Sequence, residues 1–468
     1  MTLPMPAHAA LRVKLIWLLW LFGLFAAGAA YAATDASIGE VTFVQGIASA
    51  QRPGEGTRFL AKGEPLHEGD TLNTGAKGFA LITLKDGTRL TLRPNTSFTL
   101  EKFRHGGSEE SAVFRLLKGG VRALTGLVSK RNPQAVEITA RSATIGIRGT
   151  SFDARICEAD CSEEERRVSR KARVTHPELI VARVAVLSGS ATATGPDGQT
   201  RGLNEGAALF SGDSVKTAQA SYAVLGFRDR SKVTVIADSE FKLEDVRFAG
   251  PQSDGGNFAV RVVRGGIRAL TGLLAKRDLK AATVGITTAV IGLRGTGGDF
   301  VVGPQCVGAD CGEAAIVHVW EPTVELTMGE RVVQIDPGKV GVYIPSRNVF
   351  ALLETIPDVI SKETAPRPDT VDINFEALFA AVQLENIGSG VYVGMRDGDV
   401  VLRGPDGFIY LSRDEAGVLQ DGRGLPVRIT PFPLFMLNDP YPTPEGFDER
   451  SFRLLELLNP GDVICEIR

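Results

Sequence analysis

The sequence predicts an all-β protein: two tandem, twisted β-solenoid-like domains and a small β-rich C-terminal module with two short helices. Three observations lead there. One stretch is written twice, Gly119-Gly120-Val121-Arg122-Ala123-Leu124-Thr125-Gly126-Leu127 returning as Gly265-Gly266-Ile267-Arg268-Ala269-Leu270-Thr271-Gly272-Leu273. Short apolar runs alternate at period two, as in Thr88-Arg89-Leu90-Thr91-Leu92, which is the pattern of half-buried strands. Gly accounts for 53 of 468 residues and punctuates those runs, as tight turns between strands require.

The duplication sets the domain size. Gly69-Asp70 returns as Gly212-Asp213, and Asp86-Gly87-Thr88 as Asp229-Arg230-Ser231, both 143 residues on; Arg148-Gly149-Thr150 returns as Arg294-Gly295-Thr296, 146 on. A unit this long exceeds any solenoid repeat of about 20–50 residues, so each copy is expected to bury its own core. The boundaries read as 38–181 and 182–355.

At the N-terminus, Arg12 and Lys14 precede an uncharged apolar run, Leu15 to Ala29, that closes on Ala30-Tyr31-Ala32. That is the pattern of a cleaved signal peptide, residues 1–32, and it predicts an exported protein, periplasmic or secreted. An uncleaved membrane anchor over Leu15 to Ala33 is the rival reading. Loss of Arg12 and Lys14 would take the formal charge from −3 to −5. A mildly acidic body carries no electrostatic footprint for nucleic acid.

Along the mature chain, Glu40 to Gly46 opens the strands. Asp86-Gly87 beside the Thr88–Leu92 alternation signals a type I′ hairpin. The second copy has Arg230 where the first has Gly87, which predicts a rebuilt turn, because a side chain resists positive φ. A weaker theme of strand, turn, strand and Gly runs from Val184 to Gly206, from Val317 to Gly338 and from Val391 to Gly417, and Glu40 to Gly63 fits it too. Pro357, Pro366 and Pro368, among mixed charges, mark 356–370 as a linker. The C-terminal module then covers 371–468, with helices expected at Asn374 to Val382 and Ser451 to Leu458.

The order Gly69-Asp70, Asp86-Gly87-Thr88, Gly119 to Arg122 and the Ala143 to Phe152 run resembles the FecR domain family. The second copy resembles it through Gly212-Asp213, Gly265 to Arg268 and Ala289 to Thr296. The resemblance implies an all-β domain on the periplasmic side of a Gram-negative envelope, engaged in protein contacts. It does not carry over anti-sigma activity: members that control a sigma factor place a cytoplasmic domain before a membrane segment, and 14 residues precede the apolar run here.

Several groups are candidate sites. Arg148 and Arg294 of the two Arg-Gly-Thr motifs could offer a guanidinium fork to a partner's carboxylate or phosphate. The favoured reading is structural: Gly149 and Gly295 permit close backbone approach beside an apolar β run, with Thr150 and Thr296 in the same motif. In an oxidising compartment Cys157 is expected to pair with Cys161 and Cys306 with Cys311, a shared four-thiolate zinc site being the alternative; Cys465 is left over. A segment absent from the second copy, Ser162 to His176, holds Glu163-Glu164-Glu165 and then Arg166, Arg167, Arg170, Lys171 and Arg173. It reads as a candidate interaction loop or as a solvated segment with internal ion pairs.

No nucleophile elbow, zinc-binding His pair or phosphate-cradling Gly loop is present, so neither catalytic residues nor a cofactor are expected. The function expected is a non-enzymatic envelope scaffold for protein interaction or signal transfer, its partner an envelope protein. The alternative is a glycan or peptidoglycan binding module, against which stands the single Trp, Trp320, left after the signal segment. A third reading, a hydrolase, needs two carboxylates brought across a cleft by the fold.

Overall fold

The computed structural model describes residues 37–132, 134–168, 180–248, 255–277, 281–293 and 297–444. The signal segment, Cys465 and the Ser451 to Leu458 helix lie outside them. The fold is all-β, as the alternation predicts.

The second unit shows the plan. In one row, Ala208–Phe210, Ile180–Ser188, Tyr222–Phe227, Lys232–Val235, Gly256–Leu270, Gly297–Val307, Asp310–Glu321, Val340–Ile344 and Val349–Leu353 pair in that order, all antiparallel. In the other, Thr200–Gly202, Ala191–Thr194, Ser214–Thr217, Glu240–Phe248, Gly256–Leu270, Ala282–Ile286, Ala289–Gly292, Val324–Met328 and Arg331–Ile335 follow. Gly256–Leu270 serves both rows by crossing between them at Gly265, whose φ is +68°. Alternate residues of both rows meet in one apolar cluster containing Val184, Phe227, Phe241, Phe258, Ile267 and Phe300. This is the period-two pattern turned into a core.

The first unit repeats these rows up to Ala143–Cys157, and there the chain leaves to build the second unit. Its rows are continued by residues from the far end of the sequence. Gly390–Gly404 runs antiparallel along Ala143–Cys157, in register from Thr144↔Arg403 to Cys157↔Gly390. Gly407–Ser412 extends one row, and Ala416–Gln420 and Val427–Thr430 extend the other. Val391, Val393, Met395, Val400, Leu402, Leu411 and Leu419 thereby join the first unit's core. The second unit is closed in the same way by its own 310–353. The boundary at 371 therefore separates segments in sequence and not in space: unit two is inserted within unit one.

The 356–370 segment is not a free linker. Beyond Val349–Leu353 the chain lies across the second unit with Ile360, Ala365 and Pro368 buried. Arg268 Nη1 donates to the Ala365 carbonyl at 2.5 Å and Lys232 Nζ to that of Val371 at 2.5 Å. The prolines that suggest a linker also suit a strap, which forms no ladder and needs few backbone donors. The first unit has a matching strap: Phe432, Phe435 and Met436 are buried, and Arg122 Nη2 and Arg89 Nη1 donate to the carbonyls of Met436 (3.4 Å) and Pro444 (3.1 Å). Between straps and strands, the expected helix forms over Phe375–Phe379, with Asn374 Oδ1 accepting from the Ala377 amide at 2.9 Å.

The turn at Asp229-Arg230 is not rebuilt. Arg230 takes φ +67°, matching Gly87 at +85°, and the amide of Arg230 donates to the Phe227 carbonyl as that of Gly87 does to Leu84. The reason is the carboxylate beside it. Asp86 and Asp229, each 2% exposed, accept from the amide and hydroxyl of Thr88 (2.9 and 2.9 Å) and Ser231 (3.0 and 2.8 Å). Those hydroxyls in turn accept from the amides of Gly126 (2.9 Å) and Gly272 (2.8 Å). A buried network of this size outweighs the roughly 1–2 kcal/mol cost of a left-handed Arg. It also explains the Thr-Gly-Leu repeat: a Cβ on Gly126 would stand 2.3 Å from the Asp86 carbonyl oxygen, and on Gly272 2.1 Å from that of Asp229.

Candidate functional site

Two polar arrangements besides the Asp clamp occur in both units. Arg58 and Arg201 each fork onto a buried aspartate, Asp70 (2.9 and 2.5 Å) and Asp213 (3.3 and 2.5 Å). Arg122 Nε meets Asp153 at 2.6 Å and Arg268 Nε meets Asp299 at 2.9 Å. The second oxygen of Asp153 accepts from Arg396 Nε at 2.8 Å; that of Asp299 contacts His318 Nδ1 and Trp320 Nε1, both at 2.8 Å. These pairs tie neighbouring strands together and explain the Gly-Asp and Gly-x-x-Arg repeats as architecture.

The Arg-Gly-Thr motifs are placed by backbone alone. Arg148-Gly149-Thr150 lies in Ala143–Cys157 where the register with Gly390–Gly404 shifts, between Arg148↔Asp399 and Ser151↔Asp397. The side chains of these three residues, and all of Arg294, Gly295 and Thr296, lie outside the described residues. The cysteines pair locally: Cys157 with Cys161, Cα atoms 5.5 Å apart, and Cys306 with Cys311, 4.0 Å apart. Their sulfurs do not converge on one centre, and among the described residues no His, Cys, Asp and Glu group is arranged to hold a metal.

The segment peculiar to the first copy forms a helix, Ala159–Arg167, fastened at its base by the buried Cys157–Cys161 bridge. Its acidic side chains turn inward. Glu164 receives Arg155 Nη1 at 3.0 Å and Arg93 Nη2 at 3.3 Å, and Glu165 accepts from the Phe435 amide at 2.8 Å. Arg93 and Arg155 are 4% and 3% exposed, so each guanidinium depends on these partners and on ring contacts, Arg93 over Tyr441 and Arg155 over Phe435. Burial pushes the Glu164 carboxyl up, with Asp439 and Asp160 adding to it against the pull of Arg93. Beside the helix opens a cleft of about 470 Å³ lined by Arg93, Lys118, Arg141, Arg155, Glu164 and Tyr441.

The basic side chains of the candidate loop divide. Arg166 and Arg167 point to solvent, Arg166 Nε reaching the Ser162 carbonyl at 3.2 Å and Arg167 the Glu163 carboxylate at 2.9 Å. Such exposed contacts hold little, so both guanidinium groups stay available. Arg170, Lys171 and Arg173 lie outside the described residues. Sequence reading missed Arg93 and Arg155, although the repeat carries the signal. Counting on by the repeat offsets puts Ile236 in the place of Arg93 and Val301 in that of Arg155.

A second crevice, about 290 Å³, lies between the units and gathers Asp197, Asp213, Asp397 and Asp399 with Arg201 and Arg413. Each carboxylate there is engaged. Asp213 takes Arg201, Asp399 accepts from Ser412 Oγ at 2.5 Å, and Arg413 lies 2.8 Å from Asp397 and 3.6 Å from Asp197. Next to it, Arg183 and Arg428 share Glu415, and burial with the neighbouring Arg183 lowers Arg428 to about 10. The seam fastens the two units with ion pairs.

Residues 70–191 match the family described as FecR protein. The chain carries a FecR domain. The FecR match covers the clamps and the tethered helix of the first unit and ends in the opening strands of the second. Two solved structures of a candidate anti-sigma factor from Parabacteroides distasonis, at 1.65 and 2.50 Å resolution, are similar at 16% identity over 30% of this chain, with a TM-score of 0.23. This chain spans 58% of the length of that protein. No curated protein matches it.

Proposed function

We propose that this FecR-domain protein is an exported, non-enzymatic scaffold that transfers a signal by binding another protein of the cell envelope, and that the Ala159–Arg167 helix with its cleft is the contact surface. One observation carries the reading. The duplication acts as an internal control: what both units keep, the Asp clamps and the Arg–Asp pairs, the fold requires; what only the first unit has, the fold does not. The helix, its bridge and the Arg93–Glu164–Arg155 cluster fall in the second class. Export is supported by the Arg12, Lys14 and Ala30-Tyr31-Ala32 pattern and by two disulfides.

Affinity capture from envelope extract with a crosslinker tests this. The wild-type chain is expected to recover one dominant membrane protein. The double variant Arg166→Glu, Arg167→Glu is expected to recover at least about tenfold less, because charge reversal on an exposed contact slows association and adds repulsion. Recovery of cell-wall fragments in place of a protein would favour the glycan reading, and equal recovery by the variant would move the contact elsewhere.

A further inference from the structure

The strand edges of this protein are guarded, with one exception. Arg58–Phe59, Pro65–Leu66, Thr200–Gly202 and Ala208–Phe210 are two or three residues long. Arg331–Ile335 carries Arg331 and Gln334. Gly407–Ser412 has its backbone engaged, the Tyr410 carbonyl by Arg428 Nε at 3.0 Å and the Ser412 amide by Glu415 at 2.9 Å. Val427–Thr430 is covered by Val382–Gln383, which pairs with it in parallel.

Val349–Leu353 is the counterpart of Val427–Thr430 in the second unit, the last strand of its row. It pairs with Val340–Ile344 on one side, and among the described residues no strand pairs with the other. Its five residues, Val-Phe-Ala-Leu-Leu, include no charge, Gly or Pro, and none is fully buried; Leu352 is 49% exposed. Ile356 and Val359, 42% and 43% exposed, follow it. A bare apolar edge of this kind templates pairing with another chain. The first unit shows that this position in the fold accepts a strand.

We propose that the occupant is a second copy of this chain, added antiparallel about a two-fold axis through Ala351. The ends of the strand select that partner and direction. Exposed Arg347 precedes it and exposed Glu354 follows it. Antiparallel pairing centred on Ala351 sets Val349 against Leu353 and Phe350 against Leu352. It also brings Arg347 of each copy diagonally toward Glu354 of the other. Parallel pairing would set like charges together. The contact is isologous and therefore closes as a dimer, joining the row that ends in Val349–Leu353 to its copy as one continuous sheet.

Sedimentation equilibrium on the purified full chain in a Cys465→Ser background, over roughly 1–100 µM, tests this in the range of small interfaces. The expected result is a monomer–dimer equilibrium. Leu352→Lys is expected to weaken it at least about tenfold by placing a charge in the seam, with far-UV circular dichroism and melting unchanged. Ala351→Cys in the same background is expected to give a covalent dimer on oxidation, since directly opposed Cβ atoms lie about 4.5–5.5 Å apart. A single-chain mass at every concentration overturns the proposal, as does a dimer indifferent to Leu352→Lys or a failure of the Ala351→Cys variant to crosslink.

Discussion

Cutting the chain at the crossings between units tests the interleaved topology. The continuous piece 180–371 holds all of its own rows and strap, including Val317, Val319, Val324, Leu326, Ile335 and Tyr343 of its core. The piece 37–168 holds the first unit without its closing strands. It loses seven core side chains, Val391, Val393, Met395, Val400, Leu402, Leu411 and Leu419. At about 1.5–3 kcal/mol for each buried side chain, the loss is roughly 10–20 kcal/mol. That exceeds or equals the entire stability of an ordinary domain, about 5–15 kcal/mol. Asp153, 3% exposed, also loses Arg396. The expected result is that 180–371 unfolds cooperatively in denaturant, reported by Trp320, the sole Trp among the described residues, which is bonded to Asp299. The 37–168 piece is expected to show no cooperative transition by circular dichroism until 372–444 is supplied as a separate chain. A cooperative melt of 37–168 alone, with slow amide exchange along Ala143–Cys157, would refute the argument.

Two further outcomes follow from the buried polar groups. Thr88→Val and Ser231→Ala each remove a hydroxyl that donates to an aspartate and accepts from a Gly amide, and each is expected to cost about 2–3 kcal/mol in denaturant titration. A cost below about 0.5 kcal/mol at both positions would mean that the clamps are not structural. At the seam, burial raises the Asp399 pKa above its ordinary 3.8, Glu415 adding to it while Arg201, Ser412 and Arg183 oppose it. A carboxyl whose folded value is raised supplies stability that is full below the unfolded value and fades as pH rises through the folded one. Asp399→Asn keeps an oxygen to accept from Ser412 and removes the titration, so its melting temperature is expected to fall less than that of the wild type from about pH 4 upward. Parallel curves for the two proteins would count against this.

What the sequence disclosed and what it hid have a common cause. Strand character and the repeat are local or nearly so: Thr88 to Leu92 alternates within five residues, and the Gly-Gly-x-Arg block repeats as a string. Strand partners are not. Val391-Tyr392-Val393 reads as a strand wherever it docks, and nothing local says that it docks on Ala143–Cys157, more than 200 residues earlier. The weak theme shared by Val317 to Gly338 and Val391 to Gly417 held the clue, since both segments close a unit in the same way. The turn at Arg230 went the other way: a local rule predicted a change, and a buried aspartate 42–45 residues from its partners in sequence overruled it. The contact surface was half legible. Arg166 and Arg167 stood out as a charge run, whereas Arg93 and Arg155 are separated along the chain and meet only through Glu164. Yet Arg93 against Ile236 and Arg155 against Val301 break the repeat with the costliest of substitutions, buried charge for apolar side chain. In a duplicated fold such a break has no architectural reason, because the sister unit closes without it. The positions worth mutating for function are therefore those where the two copies disagree beneath the surface.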